Sequence, residues 1–351
     1  KKLPVKDGGE GFGQRAVDAF LRHFGMKQND TNRALADEIL QNRLPATEKS
    51  LNHLSNFAAE NRIPPEDASA LIWLWSKNMP LSKDSVEALS YLMKNTQRGG
   101  EPLNYGSLRN ILPLEGENAS SLLENIFILD TDGRETIGDK LINLVKRLGL
   151  DHEQSLLRPG GNIDQGQRTS LKQELLGFFQ SQDGKGMAAK GDTALNLLGE
   201  ITGLQLLNIA EQQNTLETTF FLGNWMLTPG KEELHPLYLK IKKYGGRDGS
   251  IQGEDAFQIL FFINTQNLGQ VICRLTLGKE HLTCGFTTRG MKEKDIIDNN
   301  LNILKKGLEK LPWKVALFPT KIESQENIQA TLQEEFFEIS PGIARSLDVK
   351  I

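Results

Sequence analysis

The densest chemistry in this sequence lies in Cys273, His281 and Cys284, its two cysteines and an imidazole three residues before the second of them. Two thiolates and an imidazole are ligand types that zinc accepts. Alternation argues against a metal site. Val271, Cys273, Leu275 and Leu277 share one face of a strand, Leu282, Cys284 and Phe286 share one face of the next, and His281 falls in the turn between them. The pattern predicts two core thiols and a surface imidazole. If Leu277 pairs with Leu282, then Leu275 faces Cys284 and Cys273 faces Phe286, so the thiols are diagonal neighbours on one face, reduced and unbonded.

Other chemical patterns fail on spacing. Asp130-Thr131-Asp132-Gly133 resembles the middle of a calcium loop, but it puts Ile128 where the first carboxylate must stand and Asp139 where a bidentate glutamate belongs, so it reads as a turn. Gly8, Gly9, Gly11 and Gly13 follow no strand and precede no Lys-Ser or Lys-Thr, which excludes a phosphate loop. Gly-x-Ser-x-Gly, His-Glu-x-x-His and Cys-x-x-Cys do not occur. The aromatic pairs Trp73 with Trp75, Phe178 with Phe179 and Phe261 with Phe262 lack interleaved basic residues and read as core rather than base-stacking platforms. The expectation is a protein without catalytic residues, metal ligands or cofactor.

The elements around the cysteines are legible. From Phe257 to Leu311 three β-runs, joined at Asn267-Leu268-Gly269 and at Gly278 to His281, precede one amphipathic helix whose stripe is Ile297, Leu301, Leu304, Leu308 and Leu311. Sheet face and helix stripe can close over each other. The first run is apolar on both sides, with Phe257, Ile259, Phe261 and Ile263 on one and Leu260 and Phe262 on the other. Either the helical region or a partner must cover the second side. At the following turn Gly269 is expected to take a positive backbone angle, and Leu268 is an apolar residue with little core to enter.

Upstream, three segments begin with an apolar residue and a proline, at Leu44-Pro45, Ile63-Pro64 and Met79-Pro80. Each carries a serine five residues after its proline (Ser50, Ser69, Ser85) and a large apolar residue at the ninth (Leu54, Trp73, Leu89). Proline keeps the residue before it out of the helical region, while Thr47 or Ser82 can accept from the first free amides and Glu48, Glu66, Asp67 and Asp84 complement the positive helix start. Short capped helices with one apolar face cannot stand alone and should pack as an array. Further helices are predicted near 120–129, 137–148, 170–179 and 193–210, separated by glycine-rich loops, and strands from about Leu216, in TTFFLGNWML and HPLYLKIKK. A closing strand over 315–322, a short helix over 325–337 and a terminal strand in SLDVKI complete the reading.

The fold class is therefore α+β: a helical amino-terminal region with short Pro-capped repeats, then a small mixed sheet packed by one long amphipathic helix. Its divisions are a flexible end at 1–13, a repeat array at 14–97, a helical region at 98–215, an α+β domain at 216–325 and an extension at 326–351. At 351 residues the chain can bury several cores, and 41 basic against 45 acidic residues give no basic field to attract nucleic acid. Two cysteines make no disulfide framework, which fits a reducing compartment. Apolar runs fall short of the ~20 residues of a membrane helix. The amino end lacks an apolar signal-peptide core, and a start without methionine suggests a piece of a longer parent.

The run of hydrophobic strand, Asn267-Leu268-Gly269-Gln270-Val271, alternating strand, turn, Leu282-x-Cys284-x-Phe286 strand and leucine-striped helix resembles the carboxy-terminal domain of flagellar hook-length control proteins, over roughly 220–322. Leu268, Gly269 and Val271 match that family's Leu-Gly-x-Val, and the proline-marked helical repeats are similar to those upstream of the domain in some Gram-positive relatives. The resemblance implies a non-catalytic flagellar assembly protein, cytoplasmic and exported through the flagellar secretion apparatus. Its domain would bind the cytoplasmic domain of the export-gate switch protein and change the exported substrate class, with hook or hook-cap subunits as further partners. The candidate partner-binding residues are Leu268, Gly269 and Gln270 at the turn, which the resemblance places in the partner-contacting domain, with Leu260 and Phe262 on the second face of the two-sided strand before it. One departure stands out: the family's amino-terminal half is extended and pliable, whereas this one reads as ordered helices. The alternative is a helical-repeat scaffold whose α+β domain binds an unrelated peptide or nucleic acid.

Overall fold

A computed structural model describes residues 13–97, 103–104, 146, 148–149, 170–181, 188–212, 217–227, 233–244, 256–265 and 267–337. The Asp130 to Gly133 turn, the helix near 120–129, all of the helix near 137–148 but residues 146 and 148, and the SLDVKI strand fall outside them. The class is α+β. Two compact units divide between Ser90 and Tyr91, the second running to Phe336. The division thus falls inside a helix rather than at residue 97, and the helices after residue 170 share a unit with the sheet.

In the first unit, α1 (Gln14–His23), α2 (Asp30–Gln41), α3 (Glu48–Glu60) and α4 (Ala68–Ser76) are followed by α5 (Lys83–Gln97), which continues into the second unit. Asn29 caps α2 by accepting from the Asn32 amide, and Thr47 and Ser50 close a capping box on α3. Ser82 accepts from the Ser85 amide at the start of α5. The helix ends repeat as closely as the starts. Gly25, Arg43, Arg62 and Asn78 all have positive φ, at 66°, 52°, 55° and 53°. The next residue then donates its amide back into the helix: Met26 to Leu21, Leu44 to Ile39, Ile63 to Ala58 and Met79 to Leu74, at 2.8 to 3.0 Å. This six-to-one closure satisfies carbonyls that a helix end leaves orphaned and drives the following apolar side chain into the core. Met26, Leu44, Ile63 and Met79 are all buried. The ninth-position residues Leu54, Trp73 and Leu89 are buried as the repeat predicts. Its serines diverge: Ser50 and Ser85 sit at caps, whereas Ser69 donates to Glu38 of α2 and so ties α4 to it.

In the second unit α6 (Leu171–Ser181) and α7 (Ala188–Gln212) precede all but the first strand of a mixed sheet. Its strands are β1 (Leu103–Asn104), β2 (Glu217–Leu227), β3 (Glu233–Tyr244), β4 (Ala256–Thr265), β5 (Gly269–Leu277), β6 (His281–Thr288), β7 (Lys314–Leu317) and β8 (Lys321–Ile322). The order is β1-β3-β4-β5-β6-β7, with β2 also on β3 and β8 also on β6. Hairpins make β2 to β6 antiparallel, while helix α8 (Met291–Leu308) returns the chain so that β7 and β8 lie parallel to β6. The β5–β6 register pairs Leu277 with Leu282, Leu275 with Cys284 and Cys273 with Phe286, as the alternation predicts. One closing strand was expected over 315–322, and two short ones stand there. Pro319 has no amide to give a ladder, and the Thr320 amide donates to Asp298 of α8 instead, at 3.0 Å. Helix α9 (Gln325–Phe337) ends the described chain.

Candidate interaction surface

Alternation gives the sheet two faces with different covers. On the first, Cys273, Leu282 and Cys284 form a buried cluster against which Phe286 of β6, Leu304 and Leu308 of α8 and Val315 and Leu317 of β7 pack. The two thiols are free and 3.7 Å apart, diagonal as the register requires. Contact with the Cys284 sulfur, with burial added, pushes the Cys273 thiol up. His281 is exposed, and among the described residues no group of three metal-ligating side chains converges.

The second face answers the question left by the two-sided strand. Tyr238 pairs with Phe262 and Lys240 with Leu260 across β3 and β4, and Phe262 pairs with Ile272 on β5. Helix α9 lies over this face. Phe336 stands edge-on to Tyr238 with centroids 6.4 Å apart, and the Glu335 carbonyl accepts from Lys240 Nζ. The Glu335 carboxylate accepts from Arg274 at 2.9 Å, and Gln325 Nε2 donates to Gln270 Oε1 at 3.1 Å. Tyr238 stacks on Phe262 at 6.0 Å. Leu260 and Phe262 are 2 % and 0 % exposed, so the chain's own helix occupies the place offered to a partner, and these two residues are corrected from surface to core. Ile328 and Leu332 of α9 are buried with them. A sequence division at residue 326 hid this, because it set α9 apart from the sheet that it covers.

At the β4–β5 turn, Thr265 pairs with Gly269 and Thr265 Oγ1 accepts the Leu268 amide at 3.1 Å. Gly269 has φ of 56°, the left-handed conformation expected of it. Leu268 is half-buried and Gln270 is buried. Of the five residues singled out, only Leu268 and Gly269 thus remain partly open at the surface.

Sequence reasoning missed two features. Glu200 of α7 is buried, and its carboxylate accepts from Tyr238 OH at 3.2 Å, while Asn95 Nδ2 of α5 donates to the same hydroxyl oxygen at 3.4 Å. Burial pushes the Glu200 carboxyl up to about 8, against the pull of the Tyr238 bond. A lone acid inside the apolar run Leu197-Leu198-Gly199-Glu200-Ile201 was the available signal. The second is an apolar surface on α8, where Met291, Ile296 and Ile303 are exposed. No helix among the described residues is long and apolar enough to cross a membrane. Compared with protein-family models, curated proteins and solved structures, the chain matches none.

Proposed function

We propose that this chain is a non-catalytic binding protein of the hook-length-control type, whose α+β unit engages the cytoplasmic domain of an export-gate switch protein during flagellar assembly. The observation that carries this reading is the Leu268-Gly269-Gln270-Val271 turn and strand start, set in the order strand, turn, strand, turn, strand, helix. The left-handed Gly269 gives that sequence a physical reason, since a side chain there would be strained. Export through the secretion apparatus and contact with hook or hook-cap subunits belong to the same proposal. The ordered helical array at 14–97 fits a length-measuring role less well than a switching one. Titration calorimetry of the full chain against the purified export-gate domain tests the reading, together with hook lengths by electron microscopy in a strain lacking the gene. Saturable binding and uncontrolled hook length are expected. Absence of both would overturn the proposal in favour of a scaffold for an unrelated peptide.

A further inference from the structure

Helix α8 covers one sheet face without burying a single one of its own residues. Its inner stripe, Ile297, Leu301, Leu304 and Leu308, is half-buried, and apolar residues continue around the helix beyond the part that the sheet covers. Ile296 and Ile303 lie one heptad apart on the same helix line, 39 % and 70 % exposed. Of eight exposed large apolar residues among the described ones, six fall between Met291 and Ile322. Three of them, Met291, Ile296 and Ile303, stand on this one helix, and apolar surface gathered on a single element marks an interaction site more readily than scattered single residues do.

The carboxy-terminal half of this face has a specific chemistry. Gly307 follows Ile303 by four residues, and a β-carbon added there would meet nothing within 4 Å. Glycine inside a helix costs about 0.5–1 kcal/mol relative to alanine, and no packing among the described residues requires it here. It leaves a notch beside Ile303 into which a partner side chain can descend. Lys306 and Lys310 flank the notch, both exposed and without an acidic partner among the described residues. Their neighbours Lys305 and Lys314 already pair with Glu309 and Glu280. Lys306 also complements the negative end of the helix dipole, but Lys310 stands beyond the helix end and the dipole does not account for Ile303.

We infer that Ile303, Gly307, Lys306 and Lys310 form a docking site for an acidic peptide segment of another protein that carries a large apolar anchor. The anchor rests on Ile303 over the Gly307 notch, and carboxylates meet the two lysines. The site is separate from the Leu268 turn and does not depend on which protein supplies the segment.

Panning a phage-displayed library of random peptides on the full chain tests this without using the export-gate domain, so it stands or falls apart from the reading above. Selected peptides should be rich in Asp and Glu around a large apolar residue and should bind the purified chain saturably, more weakly as salt is added. Ile303→Asp and the pair Lys306→Glu with Lys310→Glu should each weaken them roughly tenfold or more. Gly307→Gln separates docking from folding, since it fills open space with a better helix former and should raise the melting temperature slightly while blocking the peptides. Failure to select any binder, selection of basic or neutral peptides, or binding indifferent to Gly307→Gln and to the lysine pair would overturn the proposal. So would sedimentation of the chain as a dimer that Ile303→Asp dissolves, because the occupant would then be a second copy.

Discussion

Arg43, Arg62 and Asn78 hold a backbone conformation that costs an L-residue roughly 1–2 kcal/mol, and they hold it because the next residue is thereby buried. Gly25 does the same work in α1 without that cost. Arg62→Gly should therefore stabilise the first unit by up to about 1 kcal/mol, the relief of strain being partly offset by the larger unfolded-state entropy of glycine. Arg62→Val should destabilise it. Urea denaturation midpoints of the two variants decide the matter, and equal midpoints would mean that the left-handed residue does not limit stability. At Cys273 and Cys284 the expectation is chemical: both thiols should titrate with a disulfide reagent in denatured, unreduced protein, and a count of zero would show that they are bonded. In the folded protein their reaction should be slow, because both are buried and shielded from the reagent.

The β4–β5 turn and the repeat array show which elements a sequence can reveal. Proline at positions 45, 64 and 80 announced three helix starts, because its steric effect is local. The matching stops were not announced by residue type, since arginine and asparagine share the left-handed position with glycine, and α1 ends in the same way with no proline after it. The hairpin register and the diagonal cysteines were legible because side-chain period fixes register once one face is buried. Coverage of the second face was legible in part: the sequence offered the helical region, and Glu200 of α7 and Asn95 of α5 do reach Tyr238 on that face, whereas the share taken by α9, some 60 residues further along the chain than β4, was not foreseen. The stripe was also overextended to Leu311: α8 ends at Leu308, ahead of Pro312, and Leu311 is 43 % exposed. Of the candidate site, the Gly269 conformation was legible and the burial of Leu260, Phe262 and Gln270 was not. Two pairs of substitutions separate the remaining roles. Leu268→Ala should cost clearly less than Leu282→Ala, a core deletion of about 2–5 kcal/mol, because Leu268 is only half-buried. Gly269→Val should cost more than Gly269→Asn, the residue after glycine that best tolerates a positive φ. Chemical denaturation compares all four, and a loss from Leu268→Ala equal to that from Leu282→Ala would make the turn residue core and withdraw it from any docking role.

For the molecule as a whole, two carboxyl groups of the second unit impose opposite dependences on pH. Asp298 is held down to about 2 by the Lys294 side chain first and by Thr320, so the bonds it accepts stabilise the fold above the ordinary carboxyl range and are lost as pH falls towards 2. Glu200 runs the other way. Its folded pKa is raised from 4.5 to about 8, so the buried neutral acid contributes stability that is fully present below 4.5 and is lost as pH rises through 8. That difference is on the order of 4–5 kcal/mol, and since Glu200 is buried the solvent does little to screen it. Glu38 of the first unit, raised by burial, gives its unit a dependence of the same sign. The second unit should therefore be most stable in mild acid, between the windows of Asp298 and Glu200, and should lose stability steadily from about pH 5 to pH 8. Glu200→Gln keeps an acceptor for Tyr238 OH and cannot ionise, so it should flatten that decline and exceed the parent protein in stability at pH 8. Thermal melts of both proteins across that range, followed by near-ultraviolet circular dichroism, give the comparison. A parent whose stability rises towards pH 8, or a Glu200→Gln variant with the same slope as the parent, would show that the carboxyl is not held neutral beneath Tyr238.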